Sequence, residues 1–254
     1  MNKHLIKSQF NKQAENFANW SVGKNIEYLK AYSDFCEVTN HDKLLDVACG
    51  PGDFTIYVGQ RVHEAYGVDI SDKEIEIANS QINELGIENI QFDCSDVESL
   101  PYQDNSFSLV TCKSAFHHFS NPDNVFSEMI RCCKSEGRIS IQDIVMYEDS
   151  YVNDFFERFD KLVDISHNRM MGISEINKLY YDNKIEKTKE FKLDVDLSIN
   201  EYINHALQEQ DKKKEIESLL SEGLNDSMLN GYLFHKEKQL FFKRPVYLIL
   251  GYKK

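Results

Sequence analysis

A doubly wound α/β fold, with a mostly parallel sheet under a helical cap, is what this sequence predicts. Three observations carry it. Short β-like runs alternate with helical patterns up to residue 145, a turn with two glycines (CGPGD) directly follows the first run, and acids recur just beyond successive runs. In such sheets, ligands sit beyond the carboxyl ends of the strands, so the loops there are the candidate site.

Residues 1–38 read as two helices, the first placing Phe10, Ala14 and Phe17 on one face. The strands follow as KLLDVA (43–48), EAYGVDI (64–70), IQFDCS (90–95), SFSLVTC (106–112) and GRISIQDIV (137–145). Between them, Ser71 caps a helix, Glu74 completes a capping box and Gly86 stops it, while Asn121 and Pro122 open a second helix running to about Cys133. After residue 146 the rhythm ends. Tyr151, Phe155, Phe159 and Val163 recur at helical steps, followed by ISHNRMM and a short helix from about Ser174. KIEKTKEFKLDVDL (184–197) and QLFFKRPVYLILGYK (239–253) read as late strands flanking helices near 199–221. The expected organisation is one domain over 1–254: a helical lid (1–38), a ligand-binding core (40–145), a cap insertion (146–183), and a segment (184–254) that completes the sheet around a helical insertion.

Composition narrows the function classes. With 254 residues and 41% hydrophobic content, the chain buries a full core. No apolar run approaches the roughly 20 residues that span a bilayer, and the N-terminus lacks a signal-like apolar stretch. The expectation is a soluble, cytoplasmic protein without a membrane partner. A net charge of -13 repels polyanions, which argues against nucleic acid. Six cysteines without a CxxC pair predict free thiols and no metal site.

Gly50 and Gly52 permit a tight turn and close ligand approach. A dinucleotide fingerprint needs a third glycine at position 55, where this chain has Thr55, and there is no phosphate-loop lysine. Asp69, ending the second run, is placed to accept both hydroxyls of a ribose. Asp96 and Val97, after the third, offer a carboxylate and a backbone N–H to an adenine. Asp46, beside the turn, disfavours a pyrophosphate and suits a ligand carrying an ammonium and a sulfonium. Each acid alone reads more readily as a helix cap or a solvated loop residue than as a ligand contact; in register they outline a site for S-adenosyl-L-methionine.

LLDVACGPGDF, YGVDIS, CSDVESLPYQDNSFSLVTCKSAFHHF and NPDNVFSEMIRCCKSEGRISIQDIV together resemble class I S-adenosylmethionine-dependent methyltransferases. The likeness is to the ubiquinone/menaquinone-biosynthesis C-methyltransferase-like group; FNKQAENFANW and DISHNRMM resemble its bacterial small-molecule branch less closely. The resemblance implies a Rossmann-like sheet of seven strands, the last antiparallel. It implies S-adenosyl-L-methionine held by Asp46, Ala48, Gly50, Gly52, Asp69, Ile70, Asp96, Val97 and Lys113, S-adenosyl-L-homocysteine as product, and in-line transfer to a small, partly apolar or aromatic acceptor. Ala48 departs from the family pattern, which more often has glycine there.

Because the sulfonium is already activated, positioning dominates and a base is needed only for an acceptor that loses a proton. His117 and His118 follow the fourth strand; His118 is the candidate base, with a histidine-like rise of turnover with pH. His167 and Arg169, in the cap, are candidates to close over the acceptor, or form a polar turn. Lys113 reaches for the methionine carboxylate or is a surface lysine. The aromatic residues of 147–163, with Phe10, Phe17 and Trp20, line an acceptor pocket or build core. Two other classes stay open: a noncatalytic S-adenosylmethionine-binding protein and a nicotinamide-dependent oxidoreductase.

Overall fold

A computed structural model describes residues 3–206 and 210–254. The first two residues of the expected lid and residues 207–209 of the expected helical insertion lie outside the described residues.

Helices α1 (Lys3–Ala18) and α2 (Ile26–Phe35) precede the sheet, the second capped by Asn25, whose side chain accepts the Tyr28 N–H. The core then alternates β1 (Lys43–Val47), α3 (Asp53–Gly59), β2 (Glu64–Asp69), α4 (Asp72–Leu85), β3 (Ile90–Cys94), β4 (Phe107–Lys113), α5 (Pro122–Cys132) and β5 (Cys133–Ile144). Gly86, at φ 65°, ends α4, and Asn121 with Pro122 opens α5. Beyond lie α6 (Ser150–Val163), α7 (Ile173–Asp182), β6 (Ile185–Ser198), α8 (Ile199–Ala206), α9 (Gln210–Leu224), β7 (Leu233–Lys236) and β8 (Gln239–Lys253).

The sheet runs β3-β2-β1-β4-β5-β8-β6, parallel through β5, with β8 antiparallel to both neighbours. The short β7 was not anticipated. It exists because β8 outruns β5: residues 246–252 pair with β5, and the part of β8 beyond them pairs with β7 from Gln239 to Phe242. Pro245 stands at the change of partner, where no ladder N–H is required of it.

Apolar residues fill both faces. Phe126 of α5 and Tyr180 of α7 pack with Val110 and Ile139 on one face. Tyr32 of α2, Phe54 of α3 and Ile75 of α4 pack with Leu44 and Leu248 on the other. Burying each such side chain stabilises by roughly 1.5–3 kcal/mol. A third core joins α6, α8, α9, β7 and the start of β8, whereas Ile176, Leu179 and Tyr180 of α7, which the sequence reading put in the same cap insertion as α6, pack on the sheet. At the centre of the third core Arg244 donates to Asp160 at 2.6 Å, both fully buried. Among the described residues no helix is long and apolar enough to cross a membrane.

Candidate active site

Strand order reverses between β1 and β4, and there a cavity opens at the carboxyl ends of the strands, roofed by α1. Its floor is the glycine turn. Ala48 (φ 55°), Gly50 (φ 55°) and Gly52 (φ 84°) all adopt left-handed conformations, folding the chain back so that α3 starts at once. A Cβ on Gly52 would lie 2.6 Å from the Phe92 ring, so this position needs glycine for space as well as for φ. Ala48 tolerates its φ at a cost of about 1–2 kcal/mol, a physical reason for a glycine preference at that position.

The turn is bonded to acids. Gly50 N–H donates to Asp69 Oδ2 at 3.0 Å and Ser71 N–H to Oδ1 at 2.9 Å. Burial raises the pKa of Asp69 while these N–H groups restrain it. Asp46, beneath, accepts hydroxyl protons from Thr55 at 2.7 Å and Thr111 at 2.9 Å, and burial lifts its pKa to about 6. Thr55, legible in the sequence only as a missing glycine, thus holds Asp46 in place.

Glu74 corrects the sequence reading. Ser71 Oγ accepts the Glu74 N–H at 3.2 Å, but the reciprocal half of the capping box is absent because Ser71 N–H already donates to Asp69. The Glu74 carboxyl group instead lines the cavity, both oxygens buried without a hydrogen-bond partner among the described residues. Burial, then Asp69 and Asp53, push its pKa up to about 9, so it is protonated at neutral pH.

Ile70, Val97 and Asp96 line the cavity after β2 and β3. Asp96 Oδ1 accepts the Glu98 N–H at 3.0 Å, while Oδ2 pairs with Lys3 at 2.6 Å, and Lys3 also reaches Glu98 at 2.8 Å. With Lys7 pairing to Asp72 at 2.8 Å, these exposed contacts pin α1 across the mouth. From α1 and its exit, Phe10, Phe17 and Trp20 face inward, joined by Tyr28 and Phe119. Lys113 lines the same cavity, its Nζ 5.7 Å from the centre of the Tyr28 ring. It is half-buried; burial pulls its pKa down against the pull of Asp46 and Asp53. Gly52 lies under the turn and shapes it without lining the cavity.

His118 lines the cavity, with Nδ1 3.0 Å from the Ser166 carbonyl oxygen. Burial and the neighbouring His117 push its pKa down to about 3, so it is neutral near pH 7 and a rise of turnover through an ordinary histidine pKa is not expected of it. His117 belongs to the scaffold: Nδ1 lies 2.6 Å from Asp143 Oδ1, and although burial opposes its charge, Asp143 raises its pKa. His167 and Arg169 are not brought to the cavity. His167 Nε2 lies 3.1 Å from Glu157 Oε2, and Arg169 forks onto Glu175 at 2.8 and 2.9 Å. The aromatic residues of α6 do not reach it either: Phe156 and Phe159 pack against Phe242 in the cap core. The chemistry-bearing residues that sequence reasoning missed are Asp53, Glu74, Tyr28 and Thr55, each of which reads locally as a cap or helix residue.

The family described as a methyltransferase domain matches residues 39–222. The chain belongs to it. This makes the protein an S-adenosyl-L-methionine-dependent methyltransferase and sets aside the oxidoreductase alternative. YcgJ of Bacillus subtilis, named an uncharacterized methyltransferase, is 30% identical over 207 residues, 82% of each chain. A crystal structure of YcgJ superposes with a TM-score of 0.82 at 26% identity, covering 90% of this chain and 98% of that one. A demethylmenaquinone methyltransferase of Lactobacillus johnsonii is 27% identical over 146 residues, 56% of this chain and 60% of its own. Among the described residues no group of His, Cys, Asp and Glu could hold a metal ion.

Proposed function

We propose that this methyltransferase acts on a small acceptor with an apolar or aromatic body, held between the glycine turn and the aromatic residues of the N-terminal segment. The observation that carries this reading is that one cavity is lined both by acids, Asp46, Asp53, Asp69 and Glu74, and by aromatic residues, Phe10, Phe17, Trp20, Tyr28 and Phe119. The acid-rich lining fits the cofactor: Asp69 suits the ribose hydroxyls, Asp46 and Asp53 the ammonium, and Lys113 the carboxylate. Ala48, Gly50, Ile70 and Val97 supply close backbone and apolar contact, while Asp96 serves the adenine once Lys3 yields. When bound, the cofactor supplies a methyl group on a cationic sulfur that leaves without acid assistance.

The protein's own part is to orient. The aromatic lining excludes water and holds the acceptor in line with the methyl group, a contribution of up to roughly 7–11 kcal/mol in well-oriented systems. His118, neutral and lining the cavity, takes the proton of an acceptor that must lose one, once methyl transfer has made that proton strongly acidic. The likeness to a demethylmenaquinone methyltransferase favours a phenol or quinol ring as that body. A screen with methyl-labelled cofactor against phenols, quinols, aliphatic amines and proteins tests this. Labelled phenolic or quinol product is expected; transfer confined to hydrophilic amines or polymers would overturn the acceptor class.

A further inference from the structure

Behind His118 stand two buried polar side chains that the methyl-transfer reading leaves without a role. Asp164 and Ser166 lie in the segment between α6 and α7, 7% and 0% exposed, against a His118 that is 8% exposed. Ser166 Oγ donates to Asp164 Oδ1 at 2.6 Å, and Ser166 N–H donates to the same oxygen at 2.7 Å. A serine hydroxyl has one proton, and here Asp164 receives it. Ser166 Oγ, 3.1 Å from His118 Nδ1, is left only to accept. The Ser166 carbonyl, 3.0 Å from the same nitrogen, also only accepts. Two independent acceptors therefore require the imidazole proton on Nδ1. Nε2 keeps its lone pair, on a ring that lines the cavity 5.0 Å from the ring of Phe10. The other titratable groups around the imidazole are His117, with ring centres 4.1 Å apart, and His167, at 6.4 Å.

We propose that Asp164 and Ser166 are positioning residues that fix His118 as the Nδ1–H tautomer, so that Nε2 receives the acceptor's proton. The proposal rests on the methyl-transfer reading. In that step a lone pair on X forms the X–CH3 bond as the C–S pair returns to sulfur, and the proton of the now cationic, strongly acidic X–H moves to Nε2 while the X–H pair stays on X. The imidazolium so formed is faced by the Asp164 carboxylate through the Ser166 hydroxyl, which keeps the ring oriented while it is charged. The arrangement joins a residue of the turn that follows β4 to two residues between α6 and α7, so docking of that segment and readiness of the base are one event.

Nitrogen-15 labelling of histidine in the full chain reads the tautomer by NMR, with His118→Gln identifying the resonance. Calorimetry with S-adenosyl-L-homocysteine reports the cofactor site separately. The wild type is expected to show His118 protonated on Nδ1 and unprotonated on Nε2 at neutral pH. Asp164→Asn, whose amide can donate to Ser166 Oγ and free its hydroxyl to donate to Nδ1, is expected to give a mixture of tautomers, and Ser166→Ala, which leaves only the main-chain acceptor, a smaller shift in the same direction; Ser166→Thr, which keeps the hydroxyl, is expected to preserve the wild-type signal. An Nε2–H tautomer in the wild type overturns the proposal, as does a His118 signal unmoved by both Asp164→Asn and Ser166→Ala. If either variant fails to fold, the wild-type spectrum decides. Absence of S-adenosyl-L-homocysteine binding by the wild type would strike the functional reading and leave the tautomer result standing.

Discussion

The glycine turn after β1 and the helix α1 line one cavity, the first held by buried bonds throughout and the second by exposed ion pairs at its start and buried contacts only further along. Asp46, Thr55, Asp69, Thr111 and the backbone of Gly50 and Ser71 interlock under the turn with little water access. By contrast, α1 is pinned at its first two turns by Lys3 and Lys7, whose side chains are 45% and 37% exposed. Exposed pairs contribute about 0.2–1 kcal/mol each, so the start of α1 is held loosely, while further along Gln9, Gln13 and Ala14 are buried and Gln9 donates to the Ala206 carbonyl oxygen at 3.2 Å. A site that holds a cofactor and admits a separate acceptor needs one fixed wall and one that yields.

The largest expected break in this contrast is Gly52→Ala. A left-handed residue costs about 1–2 kcal/mol and forcing a methyl group against the Phe92 ring roughly 1–3 kcal/mol more. Denaturant unfolding is expected to show a loss of that combined size; a change under about 0.5 kcal/mol would mean the turn rearranges and is not the fixed wall. Next comes Asp69→Asn, expected to weaken S-adenosyl-L-homocysteine binding by roughly 1–3 kcal/mol in calorimetry, because a charged acceptor is lost. Unchanged affinity would remove Asp69 from the site.

A third test uses pH on the protein without ligand. His118 has a pKa of about 3 when folded, against an ordinary value of 6.5. Between those values the unfolded chain binds a proton that the native chain refuses. Its contribution to stability is therefore present above pH 6.5 and is lost on acidification, by about 1.4 kcal/mol for each pH unit at most. Asp46, raised to about 6, acts in the opposite sense, stabilising the native state as pH falls from 6 towards 4. Comparing wild type with His118→Gln isolates the histidine: the variant is expected to lose less stability between pH 6.5 and 4.5, and equal slopes would contradict a neutral buried His118. The smallest effect belongs to Lys3→Ala, expected to speed amide exchange in α1 by no more than about fivefold, the equivalent of 1 kcal/mol.

The fixed wall was legible in the sequence and the yielding wall much less so, for a physical reason. The turn, Asp46, Asp69 and the strands around them are local patterns, and β1 to β4 fall within a residue or so of their expected limits. The fifth strand starts earlier than expected, at Cys133, because α5 runs into it without a loop. The acceptor side is assembled from residues far apart in sequence. Phe10, Trp20, Tyr28 and His118 meet only through tertiary packing, and Ser166 lies 48 residues from the histidine it bonds. The helical spacing of Tyr151, Phe155, Phe159 and Val163 announced a buried face only in part: Phe159 and Val163 are buried against α8, α9 and β8, Phe155 is partly buried and Tyr151 is exposed. His167 and Arg169 looked chemically apt, yet Glu157 and Glu175 already engage them.

Hydrogen exchange with and without S-adenosyl-L-homocysteine tests the central claim most directly, that one cavity is shared by a fixed turn and a closing helix. Ligand is expected to slow exchange in residues 46–52 and, by a larger factor, at the start of α1, which exposed ion pairs hold. Slowing confined to the turn, with α1 exchanging equally in both states, would make the helix mere packing and contradict the account.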